Sequence, residues 1–407
     1  MVPEIPLDIV LIVFDCLDRL GERKALAHCS RVCRLWHHDA RKVLASRAEI
    51  IPTDERHVPN EEWTEWHGGL MRVPAEPSYI VWLSITEDHL FDHNWFSAAL
   101  ACFPRLRHLA VWLTVHSPES FASSQPLPRF DLSLDSLTLG HCDGLGWATD
   151  ATLGFLQCFP GAKSLHIHDV PLLLPEDFAI NCDITPICLS ITGHVSFDLW
   201  LQLLTQPRVA QAIRHFHFSF PNFYHLDDEP IIEALKTLRN LEILELDFWP
   251  CRLGEPSEIL RQCQVFKEQL APALSAIIHT LSICLPRERE GYDDKEASSL
   301  ICACLLNAMP PTIRRVEIRV GDWGGFVDAS DWCCTFPSNK HFDTERLAKC
   351  FRRFQDLRTV EVVINEGTVE EIAEYRAFLE KGFPELAARG SLQLTSEILG
   401  PWPFWPR

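Results

Sequence analysis

Four close pairings of histidine or cysteine could serve as the start of a metal site: His166-x-His168, His215-x-His217, the vicinal Cys333-Cys334, and Cys302-x-Cys304. Zinc needs four ligands converging tetrahedrally, and a structural site announces itself as one C-x-x-C pair partnered by a second. No partnered pair occurs in the sequence, so no metal is expected. Cys302 and Cys304 lie in an apolar stretch, where free cysteine behaves as a small hydrophobe. Gly161-Ala162-Lys163-Ser164 has the Lys-Ser end of a phosphate loop but lacks the Gly four residues before a Gly-Lys pair, and reads as a turn before a strand. The motifs G-x-G-x-x-G, G-x-S-x-G and H-E-x-x-H do not occur. A non-catalytic protein without a cofactor is the expectation.

Those histidines belong instead to a repeating pattern. Apolar residues recur as L-x-x-L-x-L at Ile80-Leu83-Ile85, Leu106-Leu109-Val111, Leu134-Leu137-Leu139, Leu165-Ile167, Leu189-Ile191, Ile213-Phe216-Phe218, Leu241-Leu244-Leu246, Ile278-Leu281-Ile283, Ile313-Val316-Ile318, Leu357-Val360-Val362 and Leu392-Leu394. The central residues 83, 109, 137, 165, 189, 216 and 244 are 26, 28, 28, 24, 27 and 28 residues apart, and later steps stretch to 37, 35, 44 and 32. Helical segments lie between them, such as 95–102, 151–158, 199–206, 230–238, 298–308 and 342–354. Alternating strands and helices with short connections imply parallel strands, each repeat covering its neighbour's apolar face. An α/β fold follows, and a doubly wound parallel sheet is the competing arrangement.

Leu134-x-x-Leu137-x-Leu139-x-x-Cys142, followed by Leu153, Leu156 and Cys158-Phe159-Pro160, resembles a leucine-rich repeat. The resemblance implies an irregular solenoid over 79–400. If Leu165 and Ile167 face the core, alternation sends the residues between them to the opposite, concave surface. Trp112, His166, His168, His217, Glu245, Asp247, Glu317 and Arg319 would then be exposed and bind substrate, through an apolar anchor and some basic character in the ligand. The Gly-, Asp- and Cys-rich stretch 321–341 and the charged run 286–298 are insertions, and the aromatic tail 401–407 is expected to cap the last repeat.

At the N-terminus, 5–17 reads as a helix that is apolar on nearly every side: Ile9, Val10, Leu11, Ile12, Val13, Phe14 and Leu17. Pro6 suits its first turn and Asp8 its dipole. Two further short helices, 22–29 and 30–44, follow Gly21. So small a unit cannot hide that surface alone, so part of it is expected to face another chain. Ile5-Pro6-Leu7-Asp8, Val13-Phe14, Leu17-Asp18, Leu26 and Val32-Cys33-Arg34-Leu35-Trp36 together resemble an F-box over 3–46, with 47–78 as a linker. Ile5 stands for the usual Leu, Asp8 for Glu, and Leu20-Gly21-Glu22 lengthens the first turn. The resemblance implies that Pro6, Asp8, Val13, Leu17, Leu26, Val32, Cys33 and Trp36 pack within the motif or dock on a Skp-type adaptor, and through it join a cullin-RING ubiquitin ligase. The alternative is a repeat-containing interaction scaffold with a helical cap and no link to ubiquitin.

Composition narrows the partners further. Against 56 acidic residues stand 37 Lys and Arg, a net charge of -19 that opposes nucleic acid and anionic lipid. No stretch approaches eighteen consecutive apolar residues, and no basic-then-apolar leader is present, so neither a membrane span nor secretion is expected. The sixteen cysteines then read as reduced thiols in the cytoplasm or nucleus.

Overall fold

A computed structural model describes residues 7–19, 23–33, 36–37, 39–40, 43, 46–52, 64–66, 69–72, 80–87, 100–113, 129–130, 132–141, 147–148, 156–168, 172–173, 184–192, 203–219, 229–248, 256–274, 277–285, 294–320, 343–365 and 368–397. These fall into two compact units, one of residues up to 173 together with Ile184, and one from 185 to 397. The division lies inside the segment 79–400.

The first unit opens with α1 (Leu7–Arg19) and α2 (Arg23–Cys29). Val10 and Phe14, one turn apart on α1, are buried with Leu26 and Ala40, and Leu17, Cys29, Trp36 and Val43 close around them. Phe14 meets Trp36 edge-on, with ring centroids 5.8 Å apart. Of the third expected helix, residues 36–37, 39–40 and 43 are described and are helical. The His37 ring nitrogen lies 2.8 Å from the carbonyl of Ser30, and Ser46 ends the segment by donating to the Val43 carbonyl at 2.7 Å. The Ser46 carbonyl in turn accepts from the amides of Val81 and Trp82, which joins the helical segment to the sheet.

Strands β1 (Arg47–Pro52), β4 (Trp82–Glu87), β5 (His108–Leu113), β6 (Ser136–His141) and β8 (Ser164–His168) run parallel in that order. The L-x-L residues stack in register across them. One row is Ala48, Leu83, Leu109, Leu137 and Leu165; the next is Ile50, Ile85, Val111, Leu139 and Ile167. All ten are buried. The segment 47–78 is therefore more than a linker: it supplies β1, together with β2 (Thr64–Trp66) and β3 (Gly69–Arg72), which add antiparallel on the far side of β1. Ala48 and Ile50 fill the two core positions, but Ala45 stands where other repeats carry a large apolar residue, which hides the strand in the sequence. Two short strands, β7 (Trp147–Ala148) and β9 (Leu172–Leu173), pair separately.

The second unit holds seven parallel strands in chain order: β10 (Cys188–Thr192), β11 (His215–Ser219), β12 (Ile243–Asp247), β13 (Thr280–Cys284), β14 (Arg315–Val320), β15 (Thr359–Asn365) and β16 (Leu392–Glu397). Its core rows are Leu189, Phe216, Leu244, Leu281, Val316, Val360 and Leu392, then Ile191, Phe218, Leu246, Ile283, Ile318, Val362 and Leu394. Its helices of five or more residues, among the described residues, are α3 (Pro207–Ala212), α4 (Glu229–Thr237), α5 (Pro256–Ala273), α6 (Asp294–Ala308), α7 (Thr344–Phe351), α8 (Val369–Gly382) and α9 (Pro384–Ala388), and each packs on the next. The 18-residue α5 and 15-residue α6 fill the two stretched intervals at 37 and 35 residues. A reciprocal capping box between Thr368 and Glu371 fixes the start of α8.

Each parallel run in these α/β units follows chain order without reversal, whereas a doubly wound sheet reverses at a switch point. Among the described residues no helix is long and apolar enough to cross a membrane. The tail 401–407 and the insertion 321–341 lie outside the described residues.

Because each core row is a continuous stack, position in the row sets the cost of a cavity. Leu281→Ala, mid-row and fully buried, is expected to cost about 2–5 kcal/mol, while Leu392→Ala on the end strand, only half-buried, costs clearly less. Denaturant titration of the two variants checks the order.

Candidate protein-interaction surfaces

α1 carries two apolar stripes. Val10, Phe14 and Leu17 form one at i, i+4, i+7 and turn into the small helical core. Ile9, Ile12, Val13 and Cys16 form the second at i, i+3, i+4, i+7 and face outward, with Ile9 51%, Ile12 62% and Val13 45% exposed. Leu11 and Val32 add to the exposed apolar surface, Val32 at 63%. Full burial of such a side chain is worth about 1.5–3 kcal/mol, so five left near half-exposed forgo on the order of 5 kcal/mol. Of the F-box-like residues, Leu26 is buried, Leu17 and Trp36 are half-buried, and Val13, Val32 and Cys33 are exposed. Pro6 and the side chain of Asp8 lie outside the described residues.

On the sheet of the first unit, the face opposite the core displays Ser84, Ala110, Thr138 and His166 in one register row and Trp112, Gly140 and His168 in the next. Alternation places these residues as expected, but Trp112 is not exposed: it retains 2% of its surface. The physical reason is Gly140. The Trp112 ring lies across this glycine, so near that a Cβ there would sit 2.1 Å from its Cε3, and its edge reaches the His168 ring at 5.9 Å. His166 and His168 are half-buried.

The second unit carries a charged network on the corresponding face. Ser190, His217, Glu245, Ser282, Glu317 and Glu361 occupy one register row, and Ser219, Asp247, Cys284, Arg319, Val363 and Thr395 the next. Here too exposure falls short of expectation: His217 and Glu317 are buried, and Glu245, Asp247 and Arg319 half-buried. Side chains on strands about 4.8 Å apart overhang the small Ser and Thr residues between them. The Arg319 Nε donates to Glu317 Oε1 at 2.5 Å, and Arg315 bridges Glu317 Oε2 at 3.2 Å and Glu361 Oε2 at 2.6 Å. Thr395 donates to Glu361 at 2.6 Å, and Ser190 Oγ lies 2.9 Å from His217 Nδ1.

His215 Nε2 approaches Glu245 Oε1 to 3.1 Å, an ionic contact off the hydrogen-bond axis. Burial opposes the charge on His215, but the Cys188 thiol and the Glu245 carboxylate hold its pKa above the ordinary imidazole value. Burial likewise works against ionised Glu245, yet His215, His217 and Arg319 bring its pKa down to about 2. For His217 burial dominates and lowers the pKa to about 4, so it is neutral near pH 7. Neighbouring histidines of one strand thus hold opposite charge states. Sequence periodicity located His217 but not His215 or Arg315, each of which lies one alternation before a residue it did place, His217 and Glu317, and was legible by that rule.

Among the described residues no group of three or more His, Cys, Asp or Glu is placed to hold an ion. Cys302 is buried, Cys304 half-buried, and Cys333-Cys334 lies outside the described residues. No protein-family model matches the chain, and no curated protein matches it in sequence.

Two expectations follow. Gly140→Ala should cost about 1–3 kcal/mol through overpacking, and much less in a Trp112→Ala background, as a double-mutant cycle by chemical denaturation would show. Since the folded His217 pKa of about 4 lies below its unfolded value near 6.5, the unfolded chain binds more protons between them, and stability rises with pH across that window. His217→Asn should flatten that rise, measured as unfolding free energy from pH 4 to 7.

Proposed function

We propose that this chain is an F-box-type substrate receptor, in which the N-terminal helical segment docks on a Skp-type adaptor of a cullin-RING ubiquitin ligase and a leucine-rich-repeat-like solenoid holds a protein substrate. The observation that carries the reading is the second apolar stripe of α1, Ile9, Ile12, Val13 and Cys16, left outward while Val10 and Phe14 complete the core beneath it. An exposed apolar patch on a helical unit this small is the mark of a protein interface. Val32 and Cys33, from the V-C-R-L-W run, are exposed as well, while Trp36 turns back onto Phe14.

The sheet faces support the receptor half of the proposal. In-register strands hold a large, stiff surface, and the paired charges on it are fixed in position by their neighbours. The receptor itself is proposed to contribute no reacting group. It would act by holding a substrate lysine near a ubiquitin-loaded conjugating enzyme, which raises the effective concentration of the reacting groups. The half-buried acidic Glu245 and Asp247 remain the proposed features for substrate contact; the ring of Trp112, buried over Gly140, is not among them.

Co-expression of the full chain with a Skp-type adaptor tests the reading. The pair should co-purify, and Ile12→Glu with Val13→Glu should cut the adaptor retained by about tenfold or more without lowering the unfolding temperature. Phe14→Ala, by contrast, should unfold the helical segment itself. Failure of the unaltered chain to retain any adaptor would leave the N-terminal segment a cap without a ubiquitin role.

A further inference from the structure

The residue just ahead of each strand's alternating face forms a row of its own, and its charges obey a rule that breaks at one place. In the first unit the row runs Arg107, Asp135, Lys163, and the central carboxylate takes both cations, Lys163 Nζ at 2.6 Å and Arg107 Nη1 at 3.4 Å. In the second unit it runs Arg214, Glu242, His279, where Glu242 pairs with Arg214 and lies 3.7 Å from His279 Nε2. The Lys163 hydrogen bond outweighs burial to hold Asp135 below the usual carboxylate range, and Arg214 does the same for Glu242. In the first row, then, an acid sits between two cations, and in the second between an arginine and a histidine.

The row continues through Arg314 and Arg358: the Arg314 amide bonds the His279 carbonyl at 2.8 Å, and the Arg358 amide bonds the Arg314 carbonyl at 2.8 Å. These neighbours are both arginine, both exposed, and with no acid between them. Among the described residues neither makes an ion pair. Strands lie about 4.8 Å apart, so two like charges stand side by side, an arrangement that is unfavourable unless an anion joins them. Beyond Arg358 the next position of the row is Gly390, two residues before Leu392 as Arg358 is two before Val360. Its backbone is left-handed at φ 67°, and the space a side chain would fill is open. The row therefore ends in two guanidiniums beside a vacant edge.

We propose that Arg314 and Arg358 dock an acidic segment of a partner protein, one carboxylate of which takes between the two guanidiniums the place that Asp135 and Glu242 take in their own rows. Planar guanidinium forks suit bidentate carboxylate binding, and two of them in parallel select for it. A short acidic peptide fits better than nucleic acid, because the row offers only two adjacent guanidiniums and the net charge of -19 repels an extended polyanion. Neither arginine belongs to α1, and the test does not involve an adaptor, so the proposal stands or falls independently of adaptor docking.

Fluorescence anisotropy with the full chain and a fluorescein-labelled octaglutamate peptide at low ionic strength tests it. Saturable binding is expected, weakened about tenfold or more by Arg314→Glu with Arg358→Glu. Arg208→Glu, at an exposed cation on α3 outside the row, should leave it unchanged. The double variant should keep its unfolding temperature, since neither side chain has an internal ion pair to lose. Absence of saturable binding, an equal loss with Arg208→Glu, or stronger binding of an eight-nucleotide single-stranded RNA to the same pair would each overturn the proposal.

Discussion

Apolar side chains in this protein are satisfied by their counterparts one repeat away, and that matching is what the rest of the structure rests on. Leu137 is covered because Leu109 and Leu165 stack on either side of it, and Leu281 because Leu244 and Val316 do. Register is then not free: a slip of one residue would exchange the core row for the row of Ser, Thr and charged residues. Everything the sheets display, from Trp112 over Gly140 to the Arg315 bridge, is placed by that stacking.

α1 is the element that does not follow the rule. Its inner stripe finds Leu26, Ala40 and Trp36, but the outer stripe of Ile9, Ile12 and Val13 stays about half exposed and finds no cover among the described residues. The contrast with the sheets is physical. A strand has two faces and can give one to the core, whereas a helix apolar on all sides needs a partner on each. The proposed adaptor would supply the second.

How much of this was legible in the sequence depends on how directly a residue reports its burial. The strands of the two parallel runs from Trp82 onward were legible because Leu-x-x-Leu-x-Leu marks three buried positions in six residues, whereas the short β7 and β9 carry no such pattern. β1 was not, because Ala45 and Ala48 report burial weakly and the surrounding Pro, Glu and Trp read as a connecting segment. Alternation assigned His217, Glu245 and Arg319 to the correct side of the sheet, but side is not exposure. A flat tryptophan fits over a glycine one strand away, and a buried Glu317 is tolerable because Arg315 and Arg319 reach it from its own strand. Those are matters of shape and pairing across strands, which a linear pattern does not carry. The charge states of His215 and His217 were hidden for the same reason: that of His215 depends on Glu245, 30 residues away in the chain, and that of His217 on its burial among neighbouring strands.

The most direct measurement of the central claim is amide hydrogen exchange over residues 7–33 of the full chain, alone and with a Skp-type adaptor. Slower exchange on addition of adaptor, concentrated in α1 and around Val32 and absent from β10–β16, is the result expected if a second polypeptide shelters the outer stripe. Identical exchange in 7–33 with and without saturating adaptor would contradict it.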